Sequence, residues 1–351
     1  MPNLPARPDL DQLRRQAKEL LRSAKHGDND AAQRISAVSP HLSLSSAQLA
    51  IARHHGFPSW TRLKDDVQRR ELLNRRDLDQ LRALIEQHPE LATAKLEHFC
   101  DHPRGVDPLG YLAMLRFDAD RLGLPRELPG TAEMARLLID AGASVDGEPG
   151  AAETPLITAA SYGDADVARV LIAAGADLEA TAAPDAGGVP GGTALRHAAV
   201  FGMTDVVDVL VSAGARITTL ELAAAAGDIT AWPLRRASEQ SRIRALVMAA
   251  DHQRLDVIDQ LLAVGTPIDA EDAEWGRQAL RVAAQHGRPA SVRHLLAHGA
   301  DPNLRDSTHY RTALDWCQPE RRYLSHPGYN EVDALLRPVT RTGIAPPRHG
   351  G

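Results

Sequence analysis

The chain has 351 residues, a net charge of -6 and a hydrophobic fraction of 43%, a composition typical of a folded soluble protein. No run approaches the ~20 apolar residues of a membrane span, and the N-terminus has no apolar signal core, so we expect neither a membrane anchor nor secretion. The two cysteines, Cys100 and Cys317, are too few for a disulfide framework and favour a cytoplasmic location.

The charge is unevenly distributed. Residues 1–76 carry 14 Lys and Arg against 8 Asp and Glu, whereas the remainder carries 26 against 38. We interpret this as a basic N-terminal part that attracts an acidic body. A nucleic-acid-binding head is an alternative, but the segment has no dense basic run with interleaved aromatics, so we expect no nucleic-acid partner.

The N-terminal residues predict three amphipathic helices. The first carries Leu10, Leu13, Ala17, Leu20, Leu21 and Ala24 on one face, with Asp9 as its N-cap. Ser45 or Ser46 is predicted to open the second helix, AQLAIARHHGF. The third begins after Pro58 and Ser59 and has Trp60, Leu63 and Val67 on one face.

A repeated unit follows. Its best copies open at Thr154, Thr193, Arg244, Gln278 and Thr312, and the last three of these starts are 34 residues apart. In the second copy Thr193 is predicted to cap a short helix, Ala198 and Ala199 to allow close stacking, and Gly202 to end the helix. A second helix with an apolar stripe follows and stops at Gly214.

Weaker copies flank these units. Residues 75–93 resemble the second helix of a first unit, and residues 107–117 and 131–146 resemble a helix pair separated by an insertion at 117–130. Residues 219–240 form a degenerate copy in which Pro233 is predicted to interrupt the second helix.

The TPL opening, the paired alanines, the glycine and the LLxxGAD ending resemble the ankyrin-repeat family over about residues 70–340. This resemblance implies stacked helix–turn–helix units with short hairpin fingers and a concave partner-binding face. The segment AQLAIARHHGFPSWTRLKDDV resembles the helical leader of some bacterial ankyrin proteins. Members of the family commonly carry His after TPL, where it links neighbouring turns. This chain has Ile157, Arg196, Val247 and Arg281 there, so we expect apolar stacking to supply more of the cohesion.

The predicted fold is therefore all-α: an ankyrin-repeat solenoid closed by an N-terminal helical cap. We assign residues 1–68 to the cap, 69–340 to about seven repeats, some of them degenerate, and 341–351 to a disordered tail. A cap is expected because each end of a solenoid would otherwise expose apolar surface.

Known catalytic and metal-binding motifs are not found in the sequence. It has no phosphate-binding glycine loop, HExxH or CxxC, and we predict no catalytic residue, metal or cofactor. Aligning the repeats places one set of side chains on the concave face, and we predict these as partner-binding residues: Tyr111, Met114, Tyr162, His197, Phe201, Met248, Asp251, His252, Gln285 and His286. Tyr162, Phe201, His252 and His286 are expected to form a ladder. An alternative is that this position packs between adjacent helices.

The predicted function is a non-catalytic scaffold that binds a protein or peptide on the concave face and fingers, and we expect a monomer with no membrane partner. The alternative is a small-molecule sensor or acid–base enzyme whose pocket is lined by the concave-face histidines and aromatics. In that alternative Asp251 would orient a histidine general base.

Overall fold

The computed structural model describes residues 4–5, 7–96, 105–125, 128–317 and 327–341. By their contacts the residues divide into two compact units, Met1–Asp177 (unit 1) and Leu178–Gly351 (unit 2). Within the described residues all regular elements are helical, and strand pairing is limited to two isolated bridges, Leu96 with Val106 and Thr181 with Thr193. None of the described helices is both long and apolar enough to cross a bilayer.

Unit 1 contains nine α-helices and one short 3-10 helix among its described residues. They are α1 (Leu10–Lys25), α2 (Asn29–Ser36), α3 (Leu44–His54), α4 (Trp60–Arg75), α5 (Leu78–Gln87), η1 (Pro89–Ala92), α6 (Pro108–Leu122), α7 (Thr131–Asp140), α8 (Pro155–Tyr162) and α9 (Ala165–Ala173). Helix α6 packs on α8 and α7 packs on α9, so first helices stack on first helices and second on second.

The N-terminal helices share a core drawn from residues between Leu4 and Val67. The N-cap Asp9 is confirmed, since its carboxylate accepts from the amide of Gln12 at 2.9 Å. Helix α2 was not predicted from the sequence, and α3 begins at Leu44 under a cap from Ser43, slightly earlier than expected.

The predicted domain boundaries stay predictions. Helix α4 runs from Trp60 to Arg75 and so passes through the boundary proposed at 68/69. Apart from Arg341, the predicted tail lies outside the described residues, as does Cys100. Cys317 is buried, and its thiol lies 3.7 Å from the carbonyl oxygen of Tyr329.

Unit 2 continues the pattern of helix pairs. Its helices are α10 (Ala194–Val200), α11 (Thr204–Ser212), α12 (Leu220–Ala226), α13 (Glu239–Asp251), α14 (Leu255–Ala263), α15 (Ala279–Gln285), α16 (Pro289–Ala297), α17 (helical over 313–317) and α18 (Pro327–Leu336). Helix α12 packs on α13, α13 on α15, and α14 on α16.

The local signals of the repeat are confirmed. Thr154 and Thr193 accept from the amides three residues ahead at 3.2 Å and 3.4 Å, and Gly202 turns the chain after α10 with φ +71°. No second helix forms between α12 and α13, as Pro233 predicted.

One helix limit was predicted wrongly. Helix α6 continues through Phe117 to Leu122, so part of the expected loop insertion is helical. Helix α13 begins at Glu239, five residues before the repeat opening at Arg244, because Ser238 caps it by accepting from the amide of Ser241 at 3.1 Å.

Polar contacts also link the repeats of unit 2. Nε2 of His252 lies 2.9 Å from the carbonyl oxygen of Ala199, and Arg277 donates to the carbonyl oxygen of Val200 at 2.9 Å. Cohesion in this unit therefore includes hydrogen bonds as well as apolar stacking.

Candidate partner-binding site

Three of the predicted partner-binding residues lie in unit 1. Tyr111 and Met114 on α6 are each 1% exposed, and the hydroxyl of Tyr111 donates to Oδ1 of Asn74 at 2.7 Å. Burial raises the pKa of Tyr111 to about 12. Tyr162 is half-buried, with its ring 4.9 Å from that of Phe117. Of these three, Tyr162 alone has surface open to a partner.

Four of the predicted residues in unit 2 are buried: His197, Met248, Asp251 and His252. Nε2 of His197 lies 3.0 Å from the carbonyl oxygen of Val189, in the long finger before α10, and burial lowers the pKa of His197. Nδ1 of His252 lies 3.0 Å from Oγ1 of Thr204. The side chains of His197, Asp251 and His252 fix the packing of the repeats, so we do not propose these three as direct contact residues.

Asp251 lies at the centre of a buried polar cluster. Its Oδ1 is 2.7 Å from Nδ1 of His286 and 3.7 Å from Nε of Arg288. Burial alone would raise the pKa of Asp251, but His286, His252 and Arg288 together lower it below its ordinary value. The carboxylate therefore stays ionised and holds the ends of α13 and α15 together.

This Asp–His pair has the contact that the acid–base alternative requires. However, a methyl group added at Gly202 would lie 2.7 Å from Oδ1 of Asp251 and 2.9 Å from Nδ1 of His286. The backbone at Gly202 therefore covers this side of the Asp251–His286 pair and leaves no room there for a substrate. The observed geometry favours a structural role for Asp251.

Phe201, Gln285 and His286 are half-buried in unit 2 and retain some exposed surface. His252, which was expected between Phe201 and His286 in the ladder, is 1% exposed. Within unit 2 the ladder is therefore interrupted and does not form the continuous exposed stripe that the alignment predicted.

The structure reveals a pocket in unit 2 that we call the finger pocket. It has a volume of only about 20 Å³ and is lined by Arg196, Ala199, Val200, Thr219, Glu221, Leu222, Arg244, Met248, Glu274 and Trp275. Its floor is apolar and comes from α10, α12 and α13, and the predicted residue Met248 belongs to it.

Ion pairs order the rim of the finger pocket. Glu274 lies 2.8 Å from Nη1 of Arg244 and 3.4 Å from Nη2 of Arg196. These three side chains are 31–41% exposed. The rim thus presents both signs of charge beside an apolar floor.

A tight finger turn holds Trp275 at the pocket. The carboxylate of Asp272 accepts from the amides of Glu274, Trp275 and Arg277 at 3.1, 2.8 and 2.8 Å. The guanidinium of Arg277 lies 4.8 Å from the centre of the Trp275 ring, and Trp275 is 36% exposed. A partly exposed indole on a fixed turn is a typical interface anchor.

The sequence contains a signal for this turn. Asp272 and Asp306 stand 34 residues apart, and each precedes an arginine by five residues, Arg277 and Arg311. Asp306 makes the same turn, accepting from the amides of Thr308 and Arg311 at 3.0 Å. The repeated Asp-x4-Arg spacing therefore marks both fingers.

A family model matches the helix pairs described above. The family model for ankyrin repeats (3 copies) matches residues 128–221 and 220–306, which is about half of the chain. The structure of the human ASB11 ankyrin repeat domain is similar at 20% sequence identity, with a TM-score of 0.37 over 79% of this chain and 97% of that chain. No curated protein sequence matches. From the repeat geometry and the family match together, the chain belongs to the ankyrin-repeat family.

Proposed function

We propose that this protein is a non-catalytic interaction module that binds a partner protein or peptide at the finger pocket. Ankyrin repeats are in general protein–protein interaction modules. The observation that supports this site most directly is the partly exposed Trp275, fixed at an apolar pocket with an ordered charged rim.

The pocket is a small depression in the surface rather than a cavity for a ligand. Its volume of about 20 Å³ is far below the roughly 300 Å³ at which small-molecule sites begin, and its lining contains no histidine. A partner with an aliphatic or aromatic residue flanked by charged groups would pack against the exposed face of Trp275 and pair with Arg244 or Glu274.

Trp275→Ala tests this proposal. Trp232→Ala is the matched control, because Trp232 is a half-buried tryptophan between α12 and α13 that does not line the pocket. The immobilised full chain is used to capture proteins from the native cytosol, and captured proteins are identified by mass. A specific partner should be retained by the wild type and by Trp232→Ala, but bind at least about 30-fold more weakly to Trp275→Ala, as expected for an interface anchor.

Thermal unfolding serves as a check on folding, because a partly exposed side chain on a turn contributes little to the core. Equal retention of every partner by the two tryptophan variants would contradict the finger pocket as the binding site. The bacterial source and the cytoplasmic location expected from the sequence stay predictions.

A further inference from the structure

A cluster of metal-ligating side chains lies on the second helices of two successive repeats of unit 2. Asp259 lies on α14, His294 lies on α16, and His298 follows the last residue of α16. Asp259 Oδ1 is 2.7 Å from Nε2 of His294 and 3.3 Å from Nε2 of His298, and the three ligand atoms all lie within 4.8 Å of one another.

We propose that Asp259, His294 and His298 bind a divalent transition-metal ion of the class that prefers imidazole ligands, such as Zn²⁺. Two histidines four residues apart on a helix place both imidazoles on one face, which is the spacing of helical zinc ligands. The carboxylate from the neighbouring helix supplies the third ligand. A water molecule would complete a four-coordinate site.

The hydrogen bonds fix which nitrogen of each ring is available. Nδ1 of His298 lies 2.9 Å from the carbonyl oxygen of His294, which can only accept, so Nδ1 carries the proton. In the neutral ring Nε2 of His298 therefore has a lone pair, and it faces Oδ1 of Asp259 at 3.3 Å. Two lone pairs that face each other at this distance repel, and a cation bound between them would replace that repulsion with attraction.

The second ring needs one proton shift. Oδ1 of Asp259 is an acceptor, so Nε2 of His294 donates to it at 2.7 Å in the ion-free state. When a metal binds, the neutral ring carries its proton on Nδ1 instead, and Nε2 becomes a ligand. Tetrahedral ligands at zinc bond lengths are about 3.3 Å apart, so this contact must lengthen by only about 0.6 Å.

The surroundings permit this adjustment. The side chains of Asp259, His294 and His298 are 50%, 21% and 39% exposed, so an ion can reach them without opening the repeat. Helices α14 and α16 pack together, and a metal would therefore join two adjacent repeats. Because each repeat of a solenoid contacts only its neighbours, such a link would stabilise this part of the array.

The repeats themselves indicate substitutions that the fold accepts. Ala174 and Ala213 occupy the position of His298 in earlier repeats, and Gln260 occupies that of His294. The test variants are therefore His298→Ala and His294→Gln, together with the isosteric Asp259→Asn.

His26→Ala is the matched control. His26 also follows a helix, and its Nδ1 lies 2.7 Å from the carbonyl oxygen of Arg22, four residues earlier. It therefore resembles His298 in its contacts, but it belongs to none of the metal-ligand groups among the described residues.

The experiment titrates zinc sulfate into the full chain without a histidine tag, in competition with a chromophoric chelator. The wild type and His26→Ala should bind one zinc ion, and each of the three ligand variants should bind it at least about tenfold more weakly. Zinc should also raise the unfolding midpoint of the wild type and the control, but not that of the variants.

Circular dichroism without zinc establishes that the variants fold. Zinc binding that is unchanged in Asp259→Asn, His294→Gln and His298→Ala would overturn the site. So would the failure of the folded wild type to take up zinc at millimolar concentration. In either case the cluster is only a solvated set of hydrogen bonds.

Discussion

Replacement of Asp306 by asparagine tests how strongly one carboxylate stabilises the last finger. Oδ2 of Asp306 accepts from the indole Nε1 of Trp316 at 2.9 Å and from the amide of Arg311 at 3.0 Å, and its Oδ1 accepts from the amides of Thr308 and His309. Asparagine has nearly the same size, but it has no charge and only one acceptor oxygen.

The size of the effect follows from the pKa of Asp306. Burial would raise this pKa, but the hydrogen bonds from His309, Trp316 and Arg311 lower it from 3.8 to about 2. The folded state therefore favours the ionised carboxylate by about 2 kcal/mol at neutral pH. The unfolded carboxyl takes up a proton at higher pH, so this stabilisation is complete well above pH 4 and falls to roughly half of that value at pH 3.

Local stability is the appropriate measurement, because a repeat array need not unfold in one step. Native-state hydrogen exchange of the amides at 305–317, and of the Trp316 indole, should show a loss of about 2 kcal/mol in Asp306→Asn at pH 7 and roughly half of that at pH 3. Asp272→Asn is a useful comparison, because the earlier finger has no indole donor at the equivalent position, Val282. An equal loss of local stability in Asp306→Asn at pH 7 and at pH 3 would refute the proposed role of the charge.

Three further substitutions test the packing. Gly202→Ala should destabilise unit 2 by about 2–4 kcal/mol in urea unfolding. The new methyl group would lie 2.7 Å from Asp251, and alanine would have to adopt the positive φ of this position. Gly214→Ala is the control, because Gly214 has φ +94° but an added methyl group there would meet no atom within 4 Å. This variant should lose only about 1 kcal/mol of stability. Equal losses in the two variants would show that the contact with Asp251 is unimportant. Arg69→Ala should lower the stability by about 3–5 kcal/mol, since the fully buried guanidinium donates to three backbone carbonyls and one carboxylate. An unchanged midpoint of thermal unfolding would contradict this prediction. His252→Ala should lower the stability by about 2–4 kcal/mol, because it removes the contact with the carbonyl oxygen of Ala199 in α10 and leaves a cavity. Unchanged hydrogen exchange of the α10 amides would argue against this contact.

The burial of charged residues on α4 could not be predicted from the sequence. The run of charges in TRLKDDVQRREL resembles a solvated helix face, yet Asp66, Arg69 and Arg70 are at most 2% exposed. Asp66 pairs with Arg69 at 2.9 Å and with Arg70 at 2.8 Å, and Arg69 donates to the carbonyl oxygens of Leu91 and Ala94, both at 2.6 Å. These acceptors lie more than 20 residues along the chain, so no local pattern indicates that the charges are satisfied inside the fold.

The candidate sites show the same limit. Alignment of the repeats placed Met248 at a shared position, and the structure puts it on the floor of the finger pocket. Alignment could not show that His252 turns inward to Ala199, because that depends on which backbone carbonyl the stacking of the repeats brings to its ring. Arg196, Arg244 and Glu274 come from three different repeats or fingers, and only their packing brings the charges together.

The sequence alone determined the repeat and its local limits, such as the cap at Thr193 and the stop at Gly202, because these depend on interactions within a few residues. The tertiary structure decided which side chains meet across repeats. Asp259 and His294 are 35 residues apart and hydrogen-bond because α14 packs on α16. Residues one repeat apart in sequence come close in space because the repeats stack. The distance between their side chains depends on how the helices pack, which the periodicity of the sequence does not specify.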